Sequence, residues 1–316
     1  AFLKATEHIT LQAETHTRDF SRTVRLPKPL LTARAALPAI HLRKTRAQMS
    51  NNFENTAPLY NISGEKAVFE GIISIEAVIN AGKREIFNVY CDGDKIKKRD
   101  RKALHFLKLL KEKNLPYSLL SREEIDAIAK QHGISASHGG FIAFTGVRTY
   151  TEFEEYLNSL KSARSYAVYL DGVEDPFNFG YSVRNLFAFG AHGFIIPKRN
   201  WLSASGTVCR SSAGASELCE ITIAPDDEEA LRLIKSKGIK VVCAALSQNS
   251  VPIGEFKPEY PFILFIGGEK RGISKLFYEN SDAVVHIPYS NENAKYSLPT
   301  ASAAAIFGSF LAYKKS

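Results

Sequence analysis

The chain is poor in sulfur. Its 316 residues contain one methionine, Met49, and four cysteines, Cys91, Cys209, Cys219 and Cys243. No two of the cysteines form a C-x-x-C pair and none has a histidine at zinc-site spacing, so neither a metal ribbon nor a disulfide framework is indicated and no metal is expected. Thiols of this kind fit a reducing cytoplasm. Long hydrophobic runs are also missing. None approaches the roughly 18 to 20 residues of a membrane helix, which argues against an integral membrane protein. Neither G-x-G-x-x-G nor G-x-x-x-x-G-K-[ST] occurs, so no dinucleotide fold and no P-loop are proposed. What remains is 45% apolar and 23% charged, the balance of a soluble globular protein. The length suits two ordinary domains, each able to bury a core.

A formal net charge of +8 invites a nucleic-acid reading, but its distribution decides how much it means. Residues 1–48 hold nine Lys/Arg against three acids, most of the excess. This Thr/Arg-rich stretch, with Pro27, Pro29 and Pro38, shows no sustained period of 3.6 or 2. It is expected to lie outside the fold, as appended sequence or as an organelle transit peptide, with Met49 as the native start. A local cluster is better evidence for a polyanionic partner. Lys95, Lys97, Lys98, Arg99, Arg101 and Lys102 fall in one turn-to-helix segment that can follow a phosphate backbone. A solvated helix start is the alternative.

The first half, 49–150, reads as a small α/β unit. Val68, Ile72, Ile75 and Ile79 share one helical face over Val68 to Ile79, and Gly82 can close the helix. Glu85 to Cys91 reads as a strand, Ala103 to Lys113 as a second helix and Pro116 to Leu120 as a second strand. Ser121-Arg-Glu-Glu124 has capping-box form and predicts a third helix to Lys130. A linker is expected at 151–164. In the second half, 165–316, Tyr166 to Leu170, Gly193 to Ile196, Lys240 to Ala245, Phe262 to Ile266 and Ala283 to Ile287 are nearly continuous apolar runs. They alternate with helical stretches at Ser182 to Phe189, Asp226 to Lys237, Ser274 to Asn280 and Ala301 to Tyr313, the pattern of a parallel sheet covered on both faces.

Three segments carry the chemistry: Asp175-Pro-Phe-Asn-Phe-Gly-Tyr-Ser-Val-Arg184, Gly267-Gly-Glu-Lys-Arg-Gly-Ile-Ser274, and Ile287 through Ser297-Leu-Pro-Thr-Ala to Ile306. Arg210-Ser-Ser-Ala-Gly-Ala-Ser-Glu217 lies between the first two. Gly267, Gly268 and Gly272 follow a strand ending at Ile266, where ligands sit in parallel sheets; a tight strand-to-helix turn is their other reading. In this order the segments resemble the signature motifs of the SpoU (TrmH-like) branch of the SPOUT methyltransferases. Glu70-Gly71, Gly82 to Ile86 and His138-Gly-Gly-Phe-Ile142 resemble, more loosely, the L30e-like RNA-binding domain that precedes many members.

The resemblance implies an α/β fold in which a C-terminal parallel-sheet domain, tied in a deep trefoil knot, follows the L30e-like unit. Ordinary topology rules would forbid the knot. It also implies a homodimer that binds S-adenosylmethionine and methylates a ribose 2′-hydroxyl in structured RNA, ribosomal RNA ahead of transfer RNA. Arg184, Asn178, Glu269 and Ser297 are then the expected catalytic residues. The backbone at Leu246, Ile266, Gly267, Gly268, Gly272, Ile287 and Leu298 is expected to hold the cofactor, and Lys97, Lys98, Arg99 and Arg101 the RNA. The third motif departs from the family. Where most members read Ser-Leu-Asn-x-Ser, this chain reads Ser297-Leu298-Pro299-Thr300-Ala301, and Pro299 offers neither an amide donor nor a polar side chain. An RNA-binding or assembly protein with weak or lost transfer is therefore the second reading, and a base methyltransferase of another SPOUT branch a lesser one.

Overall fold

Val68-Phe69-Glu70, expected at the head of a helix, is a strand instead. In a computed structural model that describes residues 66–160, 165–197, 204–291, 293 and 296–315, β1 (Lys66–Glu70) ends at Gly71, whose φ of +78° halts the chain before α1 (Ile72–Ala81). Val68 falls on the helical period of Ile72, Ile75 and Ile79 by coincidence. What decides its conformation is pairing with β4, a strand far along the chain. The expected leader at 1–48 lies outside the described residues.

The order continues with β2 (Ile86–Asp92), α2 (Gly93–Lys97), α3 (Arg101–Glu112), β3 (Tyr117–Leu120), α4 (Arg122–Gln131) and β4 (Phe141–Gly146). Local chemistry sets several of these boundaries. Asp100 accepts from the Ala103 amide at 2.8 Å to start α3, and Ser121 with Glu124 forms the expected capping box of α4. Each cap satisfies amides that a helix start leaves orphaned. The four strands form one sheet in the order β1-β4-β2-β3, and Phe69, Phe106 and Phe141 fill its core.

Then come α5 (Phe153–Ser159), β5 (Tyr166–Asp171), α6 (Pro176–Ala188), β6 (Gly193–Pro197), α7 (Ser205–Ser211), α8 (Ala215–Leu218), β7 (Glu220–Ala224), α9 (Asp227–Ser236), β8 (Lys240–Ala244), β9 (Val251–Pro252), β10 (Phe262–Gly267), α10 (Lys275–Glu279), β11 (Ala283–His286) and α11 (Thr300–Lys315). Seven strands make a second sheet, order β7-β6-β5-β10-β8-β11-β9, in which every pairing is parallel. The apolar runs are buried on both faces because alternate residues enter different cores. Tyr166, Val168, Leu170, Phe262 and Leu264 pack on one side, Ala167, Tyr169, Ile263 and Phe265 on the other. In register across β5 and β10, Tyr166 stacks on Phe262 with centroids 5.4 Å apart and Tyr169 on Phe265 at 4.7 Å. Burying each such ring is worth about 1.5–3 kcal/mol. Among the described residues no helix is long and apolar enough to cross a membrane. All four cysteines are buried and free, and burial pushes each thiol up to about 12.

Candidate active site

β5 and β10 are neighbours, and the chain leaves the sheet in opposite directions on either side of them: β6 and β7 follow beyond β5, β8, β11 and β9 beyond β10. A crevice at the carboxyl ends of strands where the order reverses is the usual ligand position in open α/β sheets. Here Asp171 ends β5 directly opposite Gly267. A cleft of about 80 Å³ opens at that point, lined by Gly172, Asp175, Asn178, Glu269, Lys270 and Thr300 among others.

Each segment contributes to this cleft for a local reason. Asp175 caps α6 by accepting from the Asn178 amide at 2.7 Å, and Pro176 takes the first helical turn, where its missing N–H costs nothing. The cap fixes Asn178 on the first turn, facing the loop after β10. Its side-chain amide donates to Glu269 at 3.2 Å. From the third segment, the Thr300 hydroxyl donates to the Gly267 carbonyl at 3.2 Å. Thr300 is buried while Ser297 and Pro299 are exposed, and Ser297 does not line the cleft. Of the expected catalytic residues, then, Asn178 and Glu269 come together, and Thr300 joins them.

Arg184 stands apart. Six residues beyond Asn178, it lies about 9 Å further along α6 and roughly 240° around it. It is exposed and has no partner among the described residues. It does not enter the cleft of its own chain.

The glycines of the second segment have a packing role that their motif does not reveal. A Cβ on Gly268 would overlap the Gly172 carbonyl, and one on Gly267 would come within 2.5 Å of the Gly272 carbonyl carbon. Two backbone turns therefore meet without side chains between them. The Gly268 amide donates to the Asp171 carbonyl at 2.7 Å, and the Ser274 amide to the Asp171 carboxylate at 2.7 Å. Asp171, not singled out by its motif, is the post around which this loop turns. Gly272, with φ +66°, needs the left-handed conformation.

The other expected cofactor positions leave the carboxyl ends of adjacent strands. Leu246 follows β8 and is 81% exposed. Ile266 is buried within β10, and Ile287 and Leu298 are half-buried after β11. The β8 and β11 loops are linked by the Ser250 hydroxyl, 2.9 Å from His286 Nδ1, and the Leu298 amide donates to the Tyr289 hydroxyl at 3.1 Å. The strands that these loops leave, β10, β8 and β11, are neighbours in the sheet. α11 closes against α6, where Asn185 donates to the Ala301 carbonyl at 3.0 Å and a Cβ on Gly308 would lie 2.9 Å from the Phe189 ring.

In the first half, Lys97, Lys98, Arg99 and Arg101 are all exposed around the α2–α3 turn, with Lys97 3.4 Å from Asp94. Lys95 differs: its ammonium donates to the Gly139 carbonyl at 3.0 Å and sits over the Phe141 ring.

The SpoU rRNA Methylase family matches residues 165–309. An uncharacterized tRNA/rRNA methyltransferase of Mycolicibacterium vanbaalenii is 27% identical over 209 residues, 66% of this chain and 65% of that protein. The chain thus spans about two thirds of the length of that relative. The putative TrmH family tRNA/rRNA methyltransferase YacO of Bacillus subtilis is 26% identical over 248 residues, 77% of this chain and 95% of YacO. Among solved structures, AviRb from Streptomyces viridochromogenes, a SpoU methyltransferase in complex with AdoMet, superposes with a TM-score of 0.63 at 18% identity, covering 80% of this chain and 91% of that one. At that identity the likeness concerns the fold. The three segments, in order, and the parallel sheet all fall within the stretch 165–309 that matches the SpoU rRNA Methylase family.

Proposed function

We propose that the chain transfers the methyl group of S-adenosylmethionine to a ribose 2′-hydroxyl of structured RNA, ribosomal RNA ahead of transfer RNA. The observation that carries this reading is the meeting of Asn178, Glu269 and Thr300 at the β5–β10 switch point. The sulfonium supplies an activated methyl; the loops at Leu246, Ile266 to Gly268, Gly272 and Ile287 to Leu298 would hold it. The chain's own task is to orient a poor nucleophile in line and relocate its proton. The Asn178–Glu269 pair offers a donor and an acceptor 3.2 Å apart to hold the ribose. A guanidinium keeps its charge at neutral pH and binds phosphate in a fixed fork. Arg184 therefore anchors the target nucleotide's phosphate and stabilises the developing alkoxide.

Because Arg184 faces away from its own cleft, the active form in this reading is a homodimer in which Arg184 of one subunit completes the cleft of the other. A two-fold pair is the usual closed arrangement. Exposed Phe177, Tyr181 and Tyr313 on α6 and α11 supply an apolar face for it. The family's trefoil knot, an L30e-like role for the four-stranded unit, RNA contacts by Lys97, Lys98, Arg99 and Arg101, and a cytoplasmic home belong to the same reading. Pro299 favours the second reading, an RNA-binding protein without efficient transfer, because the position that offers an amide in most members offers none here. Calorimetry with S-adenosylmethionine and tritium-methyl transfer to ribosomal and transfer RNA separate the two. Binding with transfer supports the enzyme, binding without transfer the second reading, and no binding overturns both the cofactor and the enzyme.

A further inference from the structure

The segment Arg210 to Glu217 has no place in the cleft, yet it touches both halves of the molecule. At its far end Glu217 is buried and takes a bidentate pair from Arg84, 3.0 and 3.1 Å, while Arg148 donates to the carbonyls of Ser216 and Cys219. At its near end, on α7, Arg210 reaches the Glu70 carboxylate of β1, with the Ser135 and Ser137 hydroxyls at 2.7 and 3.1 Å. Between these anchors α7 is pressed against α6. A Cβ on Gly180 would overlap Ser211 Oγ and stand 2.8 Å from the Val208 carbonyl, and Ser211 Oγ lies 3.4 Å from the Pro176 carbonyl at the first turn of α6. On its other side, a Cβ on Gly206 would overlap the Val68 carbonyl of β1.

So α7 is a ledge. It rests on the four-stranded unit and supports, without intervening side chains at Gly180, the helix that carries Asn178 and Arg184. Among the described residues the seam beside Arg210 is otherwise open: a cavity of about 340 Å³ lies there, lined by Val68, Glu70, Ile134, Ser135, Thr207 and Arg210. Gly206 on the Val68 backbone and the buried Cys209 seat α7 on the four-stranded unit, and the Arg210–Glu70 pair is the charged contact that fixes its outer edge beside the cavity. Close-packed elements transmit a shift and do not absorb it.

We propose that Arg210 is a positioning residue for methyl transfer, coupling the four-stranded unit to the catalytic helix α6 through its pair with Glu70. This rests on the methyltransferase reading above. RNA that docks on the four-stranded unit is then aligned with Asn178 and Arg184 only while the latch is closed. The effect is on geometry in the transition state, not on cofactor affinity.

The test uses the full chain with Arg210→Ala, Arg210→Lys, Glu70→Ala and the charge swap Arg210→Glu with Glu70→Arg. Single-turnover transfer to RNA, S-adenosylmethionine affinity, melting temperature and amide hydrogen exchange of residues 179–188 are read on each. Arg210→Ala and Glu70→Ala are each expected to slow transfer about tenfold at saturating RNA and cofactor, as small misplacements do. Cofactor affinity should stay within twofold and exchange in α6 should rise. The swap should restore most of the rate, and Arg210→Lys part of it. An unchanged rate in Arg210→Ala, or a swap no better than the single variants, overturns the inference. If the wild type transfers no methyl group, the methyltransferase reading fails instead, and exchange decides the latch: unchanged protection of 179–188 in Arg210→Ala ends it.

Discussion

Arg148 and Arg184 are the same residue type put to opposite uses. Arg148, at the seam between the two sheets, is buried and spends its donors on the Ser216 and Cys219 carbonyls, 3.7 Å from a Glu217 that Arg84 also grips. Arg184, on α6, is exposed and has no partner among the described residues. A buried charge is tolerated only when fully paired, and removing one member leaves the others stranded in a poorly solvated place. In the proposed reading Arg184 meets a phosphate, and such a charge has to stay available. The seam is thus built for rigidity and the exposed face of α6 is left accessible, and exposure together with pairing distinguishes them where residue type does not.

The comparison is tested most severely at Glu217. Glu217→Ala strands Arg84 and Arg148 and is expected to cost about 3–5 kcal/mol, a fall of roughly 10 °C in melting temperature for a chain of this size. The Cys209 and Cys219 thiols, now pushed up to about 12 by burial, should become reactive to a thiol reagent before Cys91 and Cys243. A melting temperature unchanged by the substitution would mean that the seam does not hold the molecule together.

Arg184→Ala should do the reverse. Transfer is expected to fall about a hundredfold or more, with cofactor affinity within a few-fold, since an interaction made mainly in the transition state costs rate more than binding. Its melting temperature should match the wild type. A loss of stability comparable to that of Glu217→Ala would erase the distinction.

A smaller effect is expected when Lys97, Lys98 and Arg99 are all changed to alanine. RNA affinity should weaken and the log–log salt slope flatten by about two to three, at roughly 0.7–0.9 per lost phosphate contact, while cofactor affinity stays unchanged. An unaltered slope would return these residues to an ordinary solvated face. Smallest of all, Pro299→Asn should change the transfer rate by no more than about fivefold, because the buried Thr300, 3.2 Å from the Gly267 carbonyl, already ties the third segment to the cleft and a neutral hydrogen bond is worth only about 1 kcal/mol. A large gain would show that the lost asparagine contact limits this chain.

How much of this was readable in advance depended on the range of the interaction involved. Ser121 and Glu124 announce their capping box because the bonds span three residues. The cap of α6 at Asp175 is equally local, yet the helix was expected only from Ser182, so its first six residues were missed. Five parallel strands were legible as apolar runs, since burial on both faces demands apolar residues at every position. β1 and β7 were not: Val68 mimics a helical period, and Ile221 and Ile223 alternate with polar neighbours. The Asn178–Glu269 contact was half legible, since both residues lie in recognisable motifs, although 91 positions separate them.

Left to itself, then, the chain's order of residues determined several helix starts, most of the buried strands of the second sheet and the three segments that resemble the SpoU motifs. These depend on neighbours within a turn or on how apolar a short run is. Only the tertiary structure decided that Arg84 and Arg148 are locked on Glu217, with Arg84 133 positions from it, and that Gly267 and Gly268 are required by a second backbone turn at Gly172 and Gly272. Such facts turn on which distant atoms share a few ångströms, and no local pattern of residue types encodes that.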